Sequence, residues 1–124
     1  MTLFELILKL QGYPISKAQK LLDEIAAKPT DELYQWQDGK KWEIFDFHYQ
    51  NNQFYKNFIG GSKPEKWEDI PVMYKKDLQR PLAEMLAKGY HKKNVYLSST
   101  SGSSGHPFLF AKDKFSHAMA WALI

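Results

Sequence analysis

The chain contains no cysteine, and that absence removes two classes of site at once. Neither a disulfide framework nor a thiolate metal site can form without the thiol group. The histidines show no spacing typical of metal ligands; they are His48, His91, His106 and His117. We therefore expect His91 and His117 to be surface or packing residues, and His106 to be a partly exposed turn residue.

A strong charge of one sign and long apolar runs are also missing. The net charge is only +3, from 17 basic and 14 acidic residues, and the lysines are dispersed, which disfavours a nucleic-acid footprint. No apolar run approaches the length of a membrane span. The apolar residues 2–10 are interrupted by Glu5 and lack the basic segment and cleavage site of a signal peptide. These observations predict a cytoplasmic protein without nucleic-acid or membrane partners.

Capping residues predict helices throughout the first half of the chain. Thr2 followed by Glu5 forms the pattern of a capping box, which begins a first helix. Ser16 is a candidate cap for a second helix. Thr30 or Asp31 is a candidate cap for a long third helix that extends to about residue 51 and that Gly39 would kink or divide, and a short helix is predicted around residues 53–59. The first half should therefore be almost entirely helical.

The second half has a different pattern and predicts a small hairpin followed by a helix. Apolar residues at 95–98 and 107–110 are typical of two strands, and Asp113 is a candidate cap for a terminal helix. We predict an α+β fold, with a helical N-terminal region over residues 1–60. Residues 61–124 would then form the beginning of a second unit that carries the hairpin and the terminal helix.

The loop between the predicted strands, residues 98–107, is the most informative segment. It reads SSTSGSSGHP. Small residues let a backbone approach an anion closely, and glycine admits the positive φ angles that turn successive N–H groups toward one point. Serine and threonine hydroxyls add donors, so the natural guest is a polyphosphate. The candidate ligand-binding residues are Thr100, Ser101, Gly102, Ser103, Ser104 and Gly105. The loop is not a Walker motif, because no lysine follows Gly105 and a strand follows the loop.

The sequence TSGSSG-x-P at residues 100–107 resembles the phosphate-binding loop of the adenylate-forming enzymes, the acyl-CoA ligase superfamily. Two upstream segments are similar to the phenylacetate–CoA ligase branch, which includes adenylate-forming proteins assigned to capsular polysaccharide biosynthesis. They are residues 52–56 (NQFYK) and residues 67–78 (WEDIPVMYKKDL). The matches occur in the expected order and span residues 47–124, whereas residues 1–39 carry none of the resemblance.

The resemblance implies a two-step reaction. A carboxylate attacks the α-phosphate of ATP to give an acyl-adenylate and pyrophosphate, and a thiol, usually of coenzyme A, then takes the acyl group. The loop would hold the β- and γ-phosphates, with Mg²⁺ sharing their charge. By resemblance, hydroxyls would be donated by Thr100, Ser101, Ser103 and Ser104, while Gly102 and Gly105 allow the tight turns. His106 stands where the family often has lysine or another basic residue.

Enzymes of this superfamily are several times longer, and their adenine, ribose and catalytic-lysine motifs follow the loop at a distance. The resemblance therefore implies an N-terminal part of the large domain that cannot complete catalysis by itself. Its apolar terminal segment, residues 115–124, would favour self-association of the isolated chain. The alternative is a helical interaction or dimerisation module in which the Ser/Gly loop is only a turn.

Overall fold

The computed structural model describes residues 1–102, 105 and 107–124, and within them the chain is α+β, as predicted. Helices occupy most of the first half, and one antiparallel hairpin precedes the last helix. The elements are α1 (Leu3–Leu10), α2 (Ile15–Ala26), α3 (Thr30–Asn51), α4 (Gln53–Ile59), α5 (Leu82–Met85), β1 (Val95–Ser99), β2 (Leu109–Asp113) and α6 (Lys114–Ala122). Two short 3₁₀ turns, Trp67–Asp69 and Lys75–Leu78, lie between α4 and α5.

The first helix begins as the sequence predicts, and the second does not. Thr2 Oγ1 accepts a hydrogen bond from the Glu5 backbone N–H at 3.2 Å, and Glu5 Oε2 accepts one from the Thr2 N–H at 2.6 Å, which completes the capping box. The predicted cap at Ser16 is wrong. Because the Pro14 carbonyl already accepts the first helical bond, from the Ala18 N–H at 3.0 Å, Ser16 lies inside the first turn.

The boundary between α3 and α4 lies at Asn52, as the predicted end near residue 51 and start near residue 53 require. The predicted cap of α3 at Thr30 or Asp31 is wrong, because the Pro29 carbonyl already accepts the first helical bond, from the Leu33 N–H at 2.9 Å. The backbone of Asn52 is extended, and its Oδ1 accepts a hydrogen bond from the Tyr55 N–H at 3.1 Å. Its Nδ2 donates to the Met85 carbonyl at 2.9 Å. This buried side chain therefore begins α4 and also fastens the α3–α4 corner to α5.

The hairpin pairs β1 with β2 in an antiparallel register that places Leu97 opposite Ala111. The prediction for the first strand is close, but the second strand begins at Leu109 and ends at Asp113, later than predicted. Pro107 has no N–H and so cannot donate to a ladder, which delays the strand. Asp113 ends β2 and caps α6, as predicted, because its Oδ1 accepts from the Ser116 N–H at 2.6 Å.

The core has two parts that α6 and α3 organise separately. Helix α6 packs against α2 and the hairpin, and Ala18 and Ala118 on these two helices are fully buried, so small side chains let the helices approach closely. On α3, Phe45 is 2 % exposed and its ring contacts Trp42, Tyr49 and Tyr55. Small side chains thus allow close packing of α2 and α6, whereas aromatic rings pack around Phe45 on α3.

Apolar side chains also remain exposed on α1 and at the end of α6. Leu3, Leu10 and Leu123 are 75 %, 80 % and 73 % exposed. The rings of Phe4 and Trp121 lie 4.8 Å apart, so the two exposed sets are neighbours. Among the helices of the described ranges, none combines the length and the apolar character needed to cross a membrane.

Candidate functional site

The loop begins where Thr100 and Phe108 extend the hairpin by one further pair. The Thr100 N–H donates to the Phe108 carbonyl at 3.1 Å, and the Phe108 N–H donates to Thr100 Oγ1 at 3.1 Å. Since the hydroxyl oxygen accepts this bond, the hydroxyl hydrogen stays available for an external acceptor. Thr100 therefore joins the strand framework and still offers a donor to the loop.

Two glycines shape the turn, and one of them has no room for a side chain. Gly102 and Gly105 have φ angles of +65° and +84°, which confirms the prediction that one or the other would adopt positive φ. The Gly105 N–H donates to the Gly102 carbonyl at 2.7 Å. A Cβ on Gly102 would lie 2.8 Å from Pro107 Cδ and 2.9 Å from Pro107 N, whereas a Cβ on Gly105 would meet no described residue within 4 Å. Gly102 is thus required both by its conformation and by its close packing against Pro107.

Several donors of the loop are unused by the described part of the chain. Ser101 is exposed, and neither its N–H, its hydroxyl nor the Gly102 N–H forms a hydrogen bond with a described residue. The Gly105 N–H, in contrast, is already engaged in the turn. The remaining candidates Ser103 and Ser104, together with His106, lie outside the described residues. The available set is therefore the Thr100 hydroxyl, both donors of Ser101 and the Gly102 N–H.

A buried histidine at the other end of the hairpin is the feature that sequence reasoning described least well. His117 is 8 % exposed and stacks on Tyr96, with ring centroids 3.6 Å apart. Its Nε2 accepts a hydrogen bond from Trp121 Nε1 at 2.8 Å, which assigns the ring hydrogen of the neutral tautomer to Nδ1. That Nδ1 is buried and has no partner among the described residues. Of the two roles predicted for His117, surface or packing, the structure shows packing, and the i, i+4 spacing from Trp121 was the sequence signal for the hydrogen bond.

The environment of His117 favours its neutral form. Burial, and to a lesser extent the nearby charge of Lys112, lower the pKa of His117 below its ordinary value. His48, on α3, also has a pKa that burial lowers. In the described ranges, no group of three or more histidine, aspartate or glutamate side chains could hold a metal ion. His117 is thus packed in the core, whereas His48 is half-buried on α3.

A second concave feature is a cavity of about 340 Å³ between α3, α5 and β2. Its walls are mainly apolar and include Phe47, Leu82, Met85 and Phe110, with His48 and Lys112 among the polar lining residues. Sequence reasoning did not identify this cavity, because its walls come from segments far apart in the chain.

Comparison of the chain with protein-family models, characterised proteins and solved structures found no match. The resemblance to adenylate-forming enzymes therefore rests on the loop and on the two upstream segments. Residues 52–56 form the capped start of α4, and residues 67–78 contain both 3₁₀ turns.

Proposed function

We propose that this chain supplies the phosphate-binding loop of an ATP-dependent ligase that activates a carboxylic acid as its acyl-adenylate. The observation that carries the proposal is the loop geometry. Gly102, at positive φ, packs without a side chain against Pro107, and Thr100, Ser101 and Gly102 have donors that no described residue uses. Neither a linker nor an ordinary polar turn requires this combination.

The donors suit the oxygens of a polyphosphate. The Thr100 hydroxyl, the Ser101 hydroxyl and the N–H groups of Ser101 and Gly102 would hold the β- and γ-phosphates and stabilise charge on the departing pyrophosphate. ATP supplies the reactive α-phosphorus, and Mg²⁺ would share the charge through phosphate oxygens. Coenzyme A, or another acceptor, would take the acyl group. For this chain alone we expect weak nucleotide binding and no turnover, because only phosphate contacts are supplied.

A titration of the isotope-labelled chain with pyrophosphate, followed by backbone amide NMR, tests the loop directly. We expect the largest shift changes at Thr100, Ser101 and Gly102, and smaller ones with sulfate at equal ionic strength. The chain contains a matched control in Gly60, Gly61 and Ser62, a second glycine–serine turn whose two glycines also have positive φ. Equal responses of the two turns, or no response at Ser101 and Gly102, would contradict the proposal.

Variants sharpen the same experiment. Ser101→Ala removes one hydroxyl donor and should weaken the pyrophosphate response, whereas Ser62→Ala should leave it unchanged. Circular dichroism of both variants should match the parent chain, because both serines are exposed. An undiminished response in Ser101→Ala would remove this hydroxyl from the proposed donor set.

A second candidate function is self-association as a helical interaction module. The observation that favours it is the exposed apolar surface formed by α1 and the end of α6, which includes Leu3, Leu10 and Leu123. Analytical ultracentrifugation over a range of concentrations tests it. We expect dimers that Leu10→Glu dissolves and that Lys9→Gln, an adjacent change on the same helix, preserves. A monomer at all concentrations contradicts this candidate and leaves the loop proposal untouched.

A further inference from the structure

The outer edge of β2 carries backbone groups that no described residue satisfies. Thr100 and Phe108 form a hydrogen-bonded pair, so in this register the next such pairs are Ser98 with Phe110 and Tyr96 with Lys112. Leu109 and Ala111 therefore direct their N–H and C=O groups away from β1. Neither residue forms a backbone hydrogen bond on that side within the described part of the chain.

This free edge borders the apolar cavity. Every residue from Phe108 to Asp113 lines the cavity. Successive residues of a strand alternate between the two faces of a sheet, so a lining that includes all of them lies along the edge of the strand. From β1, only Val95 contributes to the lining. The opposite wall comes from α3 and α5, through residues such as Phe47, Leu82 and Met85. The outer edge of β2 is thus adjacent to the apolar cleft, and Leu109 on this edge is 51 % exposed.

The charge beside this edge is positive and has no carboxylate partner in the described residues. Lys112 lines the cavity and forms no ion pair there, and its Nζ lies 5.9 Å from the Phe110 ring centroid. The adjacent Asp113 carboxylate accepts the cap bond from Ser116 instead. A strand placed beside β2 would therefore be stabilised by an acidic side chain opposite Lys112.

We propose that the cleft binds an extended segment of a partner protein, which adds a third strand to the outer edge of β2. An extended backbone alone presents donors and acceptors at the spacing that Leu109 and Ala111 require. The segment carries apolar side chains for the cavity and an acidic residue opposite Lys112. This inference is independent of the phosphate loop, because it uses a different edge and different groups of the hairpin.

Amide hydrogen exchange tests the proposal at single residues. The probe is a blocked synthetic peptide of about seven residues, the length of an ordinary strand, in which valine alternates with threonine and one central threonine is replaced by glutamate. We expect exchange to slow at the N–H groups of Leu109 and Ala111 when the peptide is added. The N–H groups of Leu97 and Ser99, on the outer edge of β1, serve as internal controls and should not change.

A charge reversal gives the matched variant. Lys112→Glu should lose the slowing produced by the glutamate peptide and regain it with a lysine-bearing peptide, whereas Lys93→Glu, at an exposed position, should behave as the parent chain. Circular dichroism establishes that each variant is folded.

Three outcomes would overturn the proposal. The first is no slowing at Leu109 and Ala111, and the second is equal slowing on both outer edges. The third is slowing that grows with protein concentration in the absence of peptide, which would identify a second copy of this chain as the occupant of the edge.

Discussion

The two ends of the hairpin differ in how their polar groups are used. At one end, Tyr96 stacks on His117 and Asp113 caps α6. At the other end, Thr100 leads into a loop in which Ser101 is exposed and its donors are unused by described residues. The same pair of strands thus connects a packed aromatic end with an open hydroxyl-rich end.

This difference separates stability from candidate chemistry. Groups at the packed end gain from burial and from mutual contacts, so their loss should destabilise the fold. Donors at the loop end contribute little to packing, so their loss should affect anion binding and leave unfolding unchanged. Gly102 should affect both stability and anion binding, because it shapes the loop and is also tightly packed against Pro107.

The largest expected effect is on catalysis in a ligase that contains this chain with the remaining adenylation motifs. Ser101→Ala and Ser103→Ala should each slow ATP–pyrophosphate exchange by roughly 10²–10³-fold, the usual loss for one preorganised donor. The thermal unfolding midpoint should stay unchanged, because donors at the loop end contribute little to packing. An exchange rate equal to that of the parent would exclude these hydroxyls from phosphate binding.

Next in size is the effect of a methyl group on the loop glycines. Both Gly102→Ala and Gly105→Ala force an alanine into left-handed backbone, at a cost of about 1–2 kcal/mol in the free energy of unfolding. Gly102→Ala should cost more, because its Cβ would also meet Pro107 at 2.8 Å, whereas the Cβ of Gly105→Ala would meet no atom of a described residue within 4 Å. Urea denaturation measures the difference. Equal decreases in the free energy of unfolding in the two variants would show that Pro107 shifts to accommodate the Cβ without destabilising the fold.

A smaller effect is expected at the cap of α6. Asp113→Ala removes the acceptor of the Ser116 N–H and should lower the free energy of unfolding by about 1 kcal/mol. Asp113→Asn keeps an acceptor at the same position and should recover most of this loss. Denaturation of the two variants under identical conditions checks the prediction. Equal free energies of unfolding for the two variants would show that the Asp113 cap does not stabilise α6.

The last prediction concerns the change in the free energy of unfolding with pH. Because burial lowers the pKa of His117 in the folded chain, the unfolded chain takes up the proton first, near its ordinary pKa of about 6.5. Stability should therefore be complete above this pH and decline as the pH falls from about 6.5 through the lower folded pKa. His48 should contribute in the same direction.

Unfolding measured between neutral and mildly acidic pH tests this slope. His117→Phe keeps a ring against Tyr96 and removes the titration, so the slope should become shallower, with His48 supplying the remainder. Stability that rises on acidification would contradict the assignment.

Local signals predicted the parts of the fold that neighbouring residues decide. The Thr2–Glu5 capping box, the bounds of α4 and the cap at Asp113 were all predicted from short patterns, since each depends on groups within a few residues. A positive φ at Gly102 or Gly105 was predicted for the same reason. The cap at Ser16 failed because the Pro14 carbonyl began the helix earlier.

The candidate site divides in the same way. The hydroxyl and glycine content of residues 100–105 was visible in the sequence. Only the structure showed that a side chain at Gly102 would clash with Pro107 and that the Gly105 N–H is hydrogen-bonded to the Gly102 carbonyl. Both depend on Pro107 or on the closure of the turn. The limits of β2 were missed because Pro107 cannot donate to the ladder and because the strand continues to Asp113, which caps α6.

The sequence by itself determined the helical first half, the hairpin with its glycine-containing loop, and the chemistry that the loop offers, because propensity, capping and backbone freedom act over short distances. Only the tertiary structure decided that His117 is buried between Tyr96 and Trp121, that Asn52 fastens α4 to α5, and that β2 borders an apolar cleft. These features join residues far apart in the chain. Their burial and pairing therefore follow from the packing of whole elements, which no local pattern records.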